Sequence, residues 1–508
     1  MNGVVARAGN RARRRAGGVF PALAAVLLAL AGLAAAPTAT ARQAAPDFLW
    51  HFASRPDLLA PKFDLRTTGA TAPGHLFLGP KTDTAAWPPI ATRGGPEILD
   101  GTGQPVWFHP RGDGNLVRTA AFERQEYRGR PVLTWWEGVP VQLEPIGNPA
   151  FGKWVVMDQS YQVIAEVHPG NGLRFADLHD MRITPQGTAL LLVYRPVPGV
   201  VDGRPQVLME NTVQEVEIGT GRVLMQWDGL DHVDLAESYF GLPDNPLTPY
   251  QYLHLNSLFL DHDGDVLVSS RHTGTVYKID RASGAVVWRL GGKNSDFAFG
   301  PGAAFSWQHD VAREPDGTLS LFDNAAPSTG SGGPVVSRGL VLSLDEARGT
   351  ASVVRSDPSP ERLLTGTQGS TQVLPGGHLL VGWGGSGRFT EFGPDGSVVL
   401  AGAFAKPGMN SYRAQRFPWV GRPLDPPAVA ARAGTGGTTV YASWNGATEV
   451  ASWRVLAGVD GQEPRPVTVA PRSGFETAVP IPRAERVAVQ ALDTAGNVLG
   501  TSPTVRVG

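Results

Sequence analysis

The chain has 508 residues, 42% hydrophobic and 18% charged, which excludes wholesale disorder and allows a large buried core. Its 44 basic and 46 acidic side chains give a formal charge of −2, so no global field draws it to nucleic acid or an anionic membrane, and no nucleic-acid partner is expected. With no cysteine there is no disulfide, thiolate nucleophile or cysteine metal site, and with 63 glycines and 43 prolines short strands and tight turns are favoured over long helices.

Arg7, Arg11, Arg13, Arg14 and Arg15 precede an apolar Ala/Leu run over residues 19–36, and Ala39-Thr40-Ala41 supplies the small residues of a cleavage site. Residues 1–41 read as an export signal, so an exported protein without stable membrane insertion is expected. From about Leu76 onward, strand-like runs alternate with Gly, Pro and Asp turns, among them Pro131 to Trp136, Trp154 to Met157 and Val213 to Ile218. Their period of two suits half-buried antiparallel strands, and only short pieces such as Asp234 to Phe240 look helical.

An imperfect repeat organises residues 47–424. Leu178-His179-Asp180 leads through Gly187 into an apolar strand, and Gln308-His309-Asp310 leads through Gly317 into another. In a third copy the turn glycine is Gly264; Asn256 stands where the others have histidine, and His254 lies two residues earlier, on the same strand face if the alternation is regular. A fourth copy, Gly369 to Val381, retains Pro375-Gly376-Gly377 but has no histidine at the matching position. The intervals fit one four-stranded blade of about 40–50 residues plus loops, and a β-propeller, with six blades expected, explains the repetition. Residues 425–437 read as a linker and 438–508 as a small immunoglobulin/fibronectin-like β-sandwich whose tryptophans fill its core. The expected fold class is therefore mainly β: a six-bladed β-propeller followed by that sandwich, as a monomer.

Equivalent inner strands of such a fold line one channel, which brings His179, His254, Asn256 and His309 together without a short motif. Arg271-His272 ends the strand after Gly264, where a planar guanidinium can hold two oxygens of an anion. Asp180, Asp310 and Asp323-Asn324 can either orient imidazoles or close loops. Three imidazoles suit zinc or copper, but HExxH is absent, and no metal or other cofactor is expected. The alternative uses every residue type: one imidazole attacks an electrophile, another moves protons, and Arg271 with Asn256 opposes charge on transferring oxygens. An apolar wall for an aryl ring has Trp307, Phe305, Trp383 and Trp419 as candidates, although most such residues pack between sheets.

His254-Leu255-Asn256-Ser257, Ser269 to Thr273 leading to Val276 through Asp280, Trp288 to Gly292, and Trp307 to Asp310 together give the chain a resemblance to bacterial arylsulfate sulfotransferases of the kind independent of 3′-phosphoadenylyl sulfate. The resemblance covers most of residues 47–422. It implies a six-bladed propeller and ping-pong transfer of a sulfuryl group from an aryl sulfate donor to a phenolic acceptor. By the same resemblance His309 matches the transiently sulfated histidine, His179 and His254 its companions, and Arg271 the sulfate-binding arginine, with Asn256 in support and His272 beside the substrate. The absence of cysteine departs from periplasmic members that carry a disulfide near the site. The competing readings are a sulfatase or metal-dependent oxidoreductase, and a noncatalytic exported ligand-binding protein.

Overall fold

The computed structural model describes residues 48–82, 94–111, 117–140, 150–325 and 336–508. The expected export signal, residues 1–41, lies outside the described residues. Residues Asp47–Gly508 form one compact unit.

The repeat is correct in its local detail. Gly187 turns strand Met181–Ile183 into Thr188–Val201, Gly264 turns Leu255–Leu260 into Val266–Ser270, Gly317 turns His309–Arg313 into Leu319–Asp323, and Gly377 turns Ser370–Leu374 into His378–Gly382. Each pair is antiparallel. All four glycines have positive φ, between 78° and 93°, a conformation that costs other residues more. The expected short helical piece is one 3-10 turn, Leu235–Glu237, capped by Asp234 Oδ1 accepting from Ala236 N–H.

The expected six-bladed propeller followed by an immunoglobulin/fibronectin-like sandwich is corrected. Among the described residues the strands form nine separate sheets, none of which closes on itself, and no α-helix joins them. The fold is mostly β, built of open, chiefly antiparallel sheets. The physical reason is that periodicity and turn glycines specify a strand and its hairpin partner, whereas the arrangement of whole sheets depends on contacts distant in sequence.

Six of these sheets, of four or five strands each, meet through side chains and backbone groups on their first strands. Arg413, beside strand Ala414–Phe417, grips Asp180 through two nitrogens at 2.9 and 3.1 Å and lies 2.8 Å from Asp310. Arg182 pairs with Glu123 at 2.8 Å, and its Nε–H donates to Leu258 O at 3.0 Å. Thr371 N–H donates to Asp310 Oδ2. Glu123, Asp180, Asp310, Leu258, Thr371 and Arg413 come from six different sheets or their immediate flanks, so one buried ionic knot ties the six together. Burial raises the carboxyls of Glu123 and Asp310; burial opposes ionisation of Asp180 too, but Arg182 and Arg413 hold its carboxyl below the ordinary value.

Towards the C-terminus, Ala428–Gly434, inside the segment expected as a linker, is a strand paired with Gly437–Ser443. Trp453 is buried in an apolar cluster with Val440, Val455 and Val489, the structural role anticipated for it.

Candidate functional site

The ionic knot leaves the ends of the same strands to carry the imidazoles. His254 immediately precedes a strand, His179 stands two residues before one, His309 begins one, and Arg271 and His272 follow the strand Val266–Ser270. The backbone is bent at these points. His254, Trp307 and Asp310 have φ of 55°, 54° and 54°, and the pairing register slips between Leu255 and Ser257 and between His309 and Ala312. Bulges and left-handed residues re-aim side chains that a regular strand would alternate. The two-residue argument for His254 and Asn256 assumed a regular strand, which the left-handed His254 and the slip after Leu255 interrupt; Asn256 donates its Nδ2–H to Gln308 O at 2.8 Å, and its buried Oδ1 has no hydrogen-bond partner among the described residues.

The rings nonetheless converge. The His179 and His254 centroids lie 4.9 Å apart and those of His254 and His272 4.7 Å apart. His179 and His309 both pack edge-on against Tyr412, at 5.9 and 6.4 Å. Arg271 lies 3.9 Å above the Trp307 ring, itself 6.0 Å from His272, and donates through Nη2 to Gly366 O. All six expected side chains thus belong to one neighbourhood, Asn256 through Gln308 and through Tyr412, whose hydroxyl donates to Asn256 O.

Each imidazole is held by Nδ1. Asp177 Oδ1 accepts from His179 at 2.5 Å, Gln251 Oε1 from His254 at 2.7 Å, and the Gln251 carbonyl from His272. His309 Nδ1–H is shared between Trp307 O at 2.9 Å and Asn324 Oδ1 at 2.7 Å. Asn324 cannot rotate away, because its amide nitrogen donates to Thr365 O and Gln368 O. The acceptors therefore place the proton on Nδ1 and leave Nε2 with its lone pair. At His309 that Nε2 accepts, among the described residues, from the Gln368 N–H alone, at 3.2 Å.

Electrostatics keep three of the rings neutral. Burial pushes His309 down to about 3, assisted by the Arg271 charge and by His179. Burial and Arg271 likewise take His272 to about 3, while burial followed by His272, His179, Arg271 and His309 holds His254 well below the usual imidazole range. Among the described residues no group of three or more His, Asp or Glu side chains is disposed to hold a metal ion.

The quoted motif residues outside the rings are scaffold. Gln308 Nε2 donates to Ser269 Oγ, Ser270 O and Thr275 O, pinning the His309 segment to the neighbouring strand. Gly292 has φ of 71°, and a Cβ there would meet Thr275 Oγ1 at 2.1 Å. Asp180 and Asp310 sit in the ionic knot rather than on imidazoles, and Asp323 binds Arg338. The carboxylate that does hold a ring, Asp177, was not anticipated, nor were Gln251, Tyr194 and Tyr412; only the position of Asp177 two residues before His179 offered a signal. Of the four aromatic candidates, Trp307 reaches the cluster, while Phe305, Trp383 and Trp419 pack in sheet interiors.

No curated protein matches the chain. Among solved structures it is similar to a protein of unknown function from Bacteroides caccae, with 14% identity, 68% of this chain and 100% of that chain covered, and a TM-score of 0.39. It is also similar to a catalytically inactive virginiamycin B lyase from Staphylococcus aureus with quinupristin, with 9% identity, 76% and 97% covered, and a TM-score of 0.33. For apo AztD from Citrobacter koseri the values are 11%, 86%, 96% and 0.29. The family model described as arylsulfotransferase (ASST) matches residues 123–405, more than half of the chain and the span that holds every imidazole of the cluster. The chain belongs to the arylsulfotransferase family, enzymes with sulfotransferase-type activity on small molecules.

Proposed function

We propose that this protein moves a sulfuryl group from an aryl sulfate ester to a phenol, by way of a covalent sulfo-histidine at His309. The observation that carries the reading is the locked tautomer of His309: an immobile amide oxygen holds Nδ1–H, and Nε2 is a neutral nucleophile at physiological pH. In the first half-reaction Nε2 attacks sulfur and the sulfur–oxygen bond to the aryl group breaks. Arg271, close enough to depress His309, opposes the charge on the transferring oxygens, and Asn256, His254 and His272 complete the wall around them. The long contact from Gln368 N–H gives way as sulfur approaches. In the second half an acceptor phenol attacks the same sulfur and returns the electron pair to Nε2.

Trp307, stacked under Arg271, offers the aromatic edge nearest the donor ring. An exported setting agrees with the family and with the reading of residues 1–41 as a signal. Among the described residues no helix is long and apolar enough to cross a membrane.

The test is initial-rate kinetics with 4-nitrophenyl sulfate and a phenol, both varied, and both sulfate-containing products measured. Parallel reciprocal plots and sulfate recovered on the acceptor support the proposal. Intersecting plots, or inorganic sulfate as the main product, refute it in favour of a ternary-complex transferase or a sulfatase.

A further inference from the structure

Both half-reactions bring an aryl group to the same sulfur, so whatever flanks the imidazoles selects the aryl substrates. We infer that a basic recess beside Tyr412, lined by Lys81, Arg111 and Arg118, binds an oxyanion substituent on the aryl ring, so that the natural phenols or aryl sulfates carry a carboxylate or a second sulfate. The inference rests on the reading of His309 as nucleophile and narrows the substrate class of that site.

The recess forms where three chain segments meet. Lys81–Thr82 pairs antiparallel with Met409–Asn410, Arg111 bridges to Gly94, and Arg118 begins the strand Arg118–Tyr127. Gly94 lets the walls approach, since a Cβ there would stand 2.6 Å from Pro80 O. Besides the three cations the lining is small, apolar or hydroxyl-bearing, with Pro80, Thr82 and Thr119 among its residues and no carboxylate among the described ones. All three cations are half-buried. Glu137 pairs with Arg111 Nε at 3.0 Å from outside the lining. Lys81 and Arg118 have partners of their own, yet an ammonium carries three donors and a guanidinium five, so each can also serve an arriving oxyanion. Like charges gathered in one half-buried concavity repel, and an anion seated among them relieves the repulsion and meets a focused positive field.

Tyr412 joins the recess to the imidazoles. Lys81 Nζ lies over the Tyr412 ring, 5.6 Å from its centroid, and the same ring packs edge-on against His309 at 6.4 Å and His179 at 5.9 Å. The legs from Lys81 to Tyr412 and from Tyr412 to His309, laid end to end, set the greatest separation of ammonium and nucleophile, and a benzene ring with sulfate at one end and carboxylate at the other spans a distance of that order. Tyr412 is a fixed spacer: its hydroxyl donates to Asn256 O, and Arg413 beside it is locked in the ionic knot. The cations therefore divide their work. Arg271 faces the sulfuryl group in transit, and Lys81 with Arg111 and Arg118 takes the far end of the ring, where a charge remote from the reacting sulfur orients the phenolic oxygen toward His309.

Acceptors matched in shape read this out. With 4-nitrophenyl sulfate saturating as donor, kcat/KM of the full chain is measured for 3- and 4-hydroxybenzoate and for the corresponding hydroxybenzamides, which are neutral and nearly isosteric. Wild type should favour one of the benzoates over its amide by about 10-fold or more, and Lys81→Met should remove most of that preference while changing the amide by less than about 3-fold. Arg118→Met, read in the same way, is the second variant if Lys81→Met does not fold. Added salt should shrink the wild-type preference and leave the amides unaffected. No wild-type preference for either benzoate, a preference untouched in the folded variants, or equal losses on benzoate and amide overturn the inference while sulfate still reaches the amides. Absence of sulfate transfer to every acceptor, amides included, is the separate result that overturns the underlying reading.

Discussion

Replacing Arg413 with methionine removes the cation at the centre of the knot that joins six sheets. Its side chain is 1% exposed, lies 2.8–3.1 Å from Asp180 and Asp310, and is 3.6 Å from Glu123. Methionine fills much of the volume but leaves three carboxyls facing Arg182 alone, and breaking such a buried pair costs about 3–5 kcal/mol. Unfolding entropy of about 2.1 cal/mol/K per residue, over residues 47–508, amounts to roughly 1 kcal/mol/K, so the thermal midpoint should fall by about 3–5 °C. Arg422→Met is the control: its pair with Glu449 lies at 2.6 Å but is 70% exposed on the arginine side, and its loss should leave the thermal midpoint close to that of wild type. Acidification discriminates further. In the Arg413 variant burial favours protonated Glu123 and Asp310, so the folded state binds protons that the unfolded state does not, and the deficit relative to wild type narrows as pH falls from 7 to 5. Scanning calorimetry of both variants at the two pH values measures this. A drop for Arg413→Met no larger than that for Arg422→Met, or a deficit that widens in acid, refutes the reasoning.

Asn324→Ala leaves Trp307 O as the one acceptor holding His309 Nδ1–H, and kcat for aryl sulfate turnover should fall by roughly 10²-fold; the carbonyls of Thr365 and Gln368 lose their donor, so the stability loss, about 1–3 kcal/mol, is read separately by a thermal scan beside the steady-state kinetics. His272→Phe retains the ring packed 4.3 Å from Phe240 but removes an imidazole that stays neutral to about 3 when folded. Unfolded histidine binds its proton near pH 6.5, so wild type loses this contribution as pH falls below that value, and the stability of the variant relative to wild type should improve between pH 7 and pH 4 in paired melts. Gly369→Ala introduces a Cβ at φ of 111° and 2.2 Å from the Phe322 ring, and should destabilise by about 2 kcal/mol or more in denaturant titration.

What the sequence disclosed was local and periodic. Gly187, Gly264, Gly317 and Gly377 marked real hairpins because a turn glycine and a period of two are properties of adjacent residues. The shared phase of His179, Asn256 and His309, with His254 two residues before Asn256, followed from those hairpins, and the rings do gather. The way in which whole sheets are disposed was beyond that signal, which is why the closed architecture expected of residues 47–424 did not hold. Side-chain partners were equally hidden: Asn324 meets His309 across 15 residues, and Arg413 meets Asp180 across 233. Asp180 and Asp310 stand next to histidines in sequence yet turn to arginines, because a buried carboxylate is satisfied far better by a guanidinium than by a neutral ring. The regular strand assumed for His254 and Asn256 is interrupted by a left-handed residue and a bulge, which neighbouring residues in sequence did not signal.

The central claim is that His309 carries the group in transit. Wild-type protein mixed briefly with 4-nitrophenyl sulfate, quenched in base and analysed by peptide mass spectrometry should show one added SO3 on the peptide holding His309, lost again when a phenol precedes the quench. Product turnover with His309 never modified, or with the added group on another residue, would contradict the account.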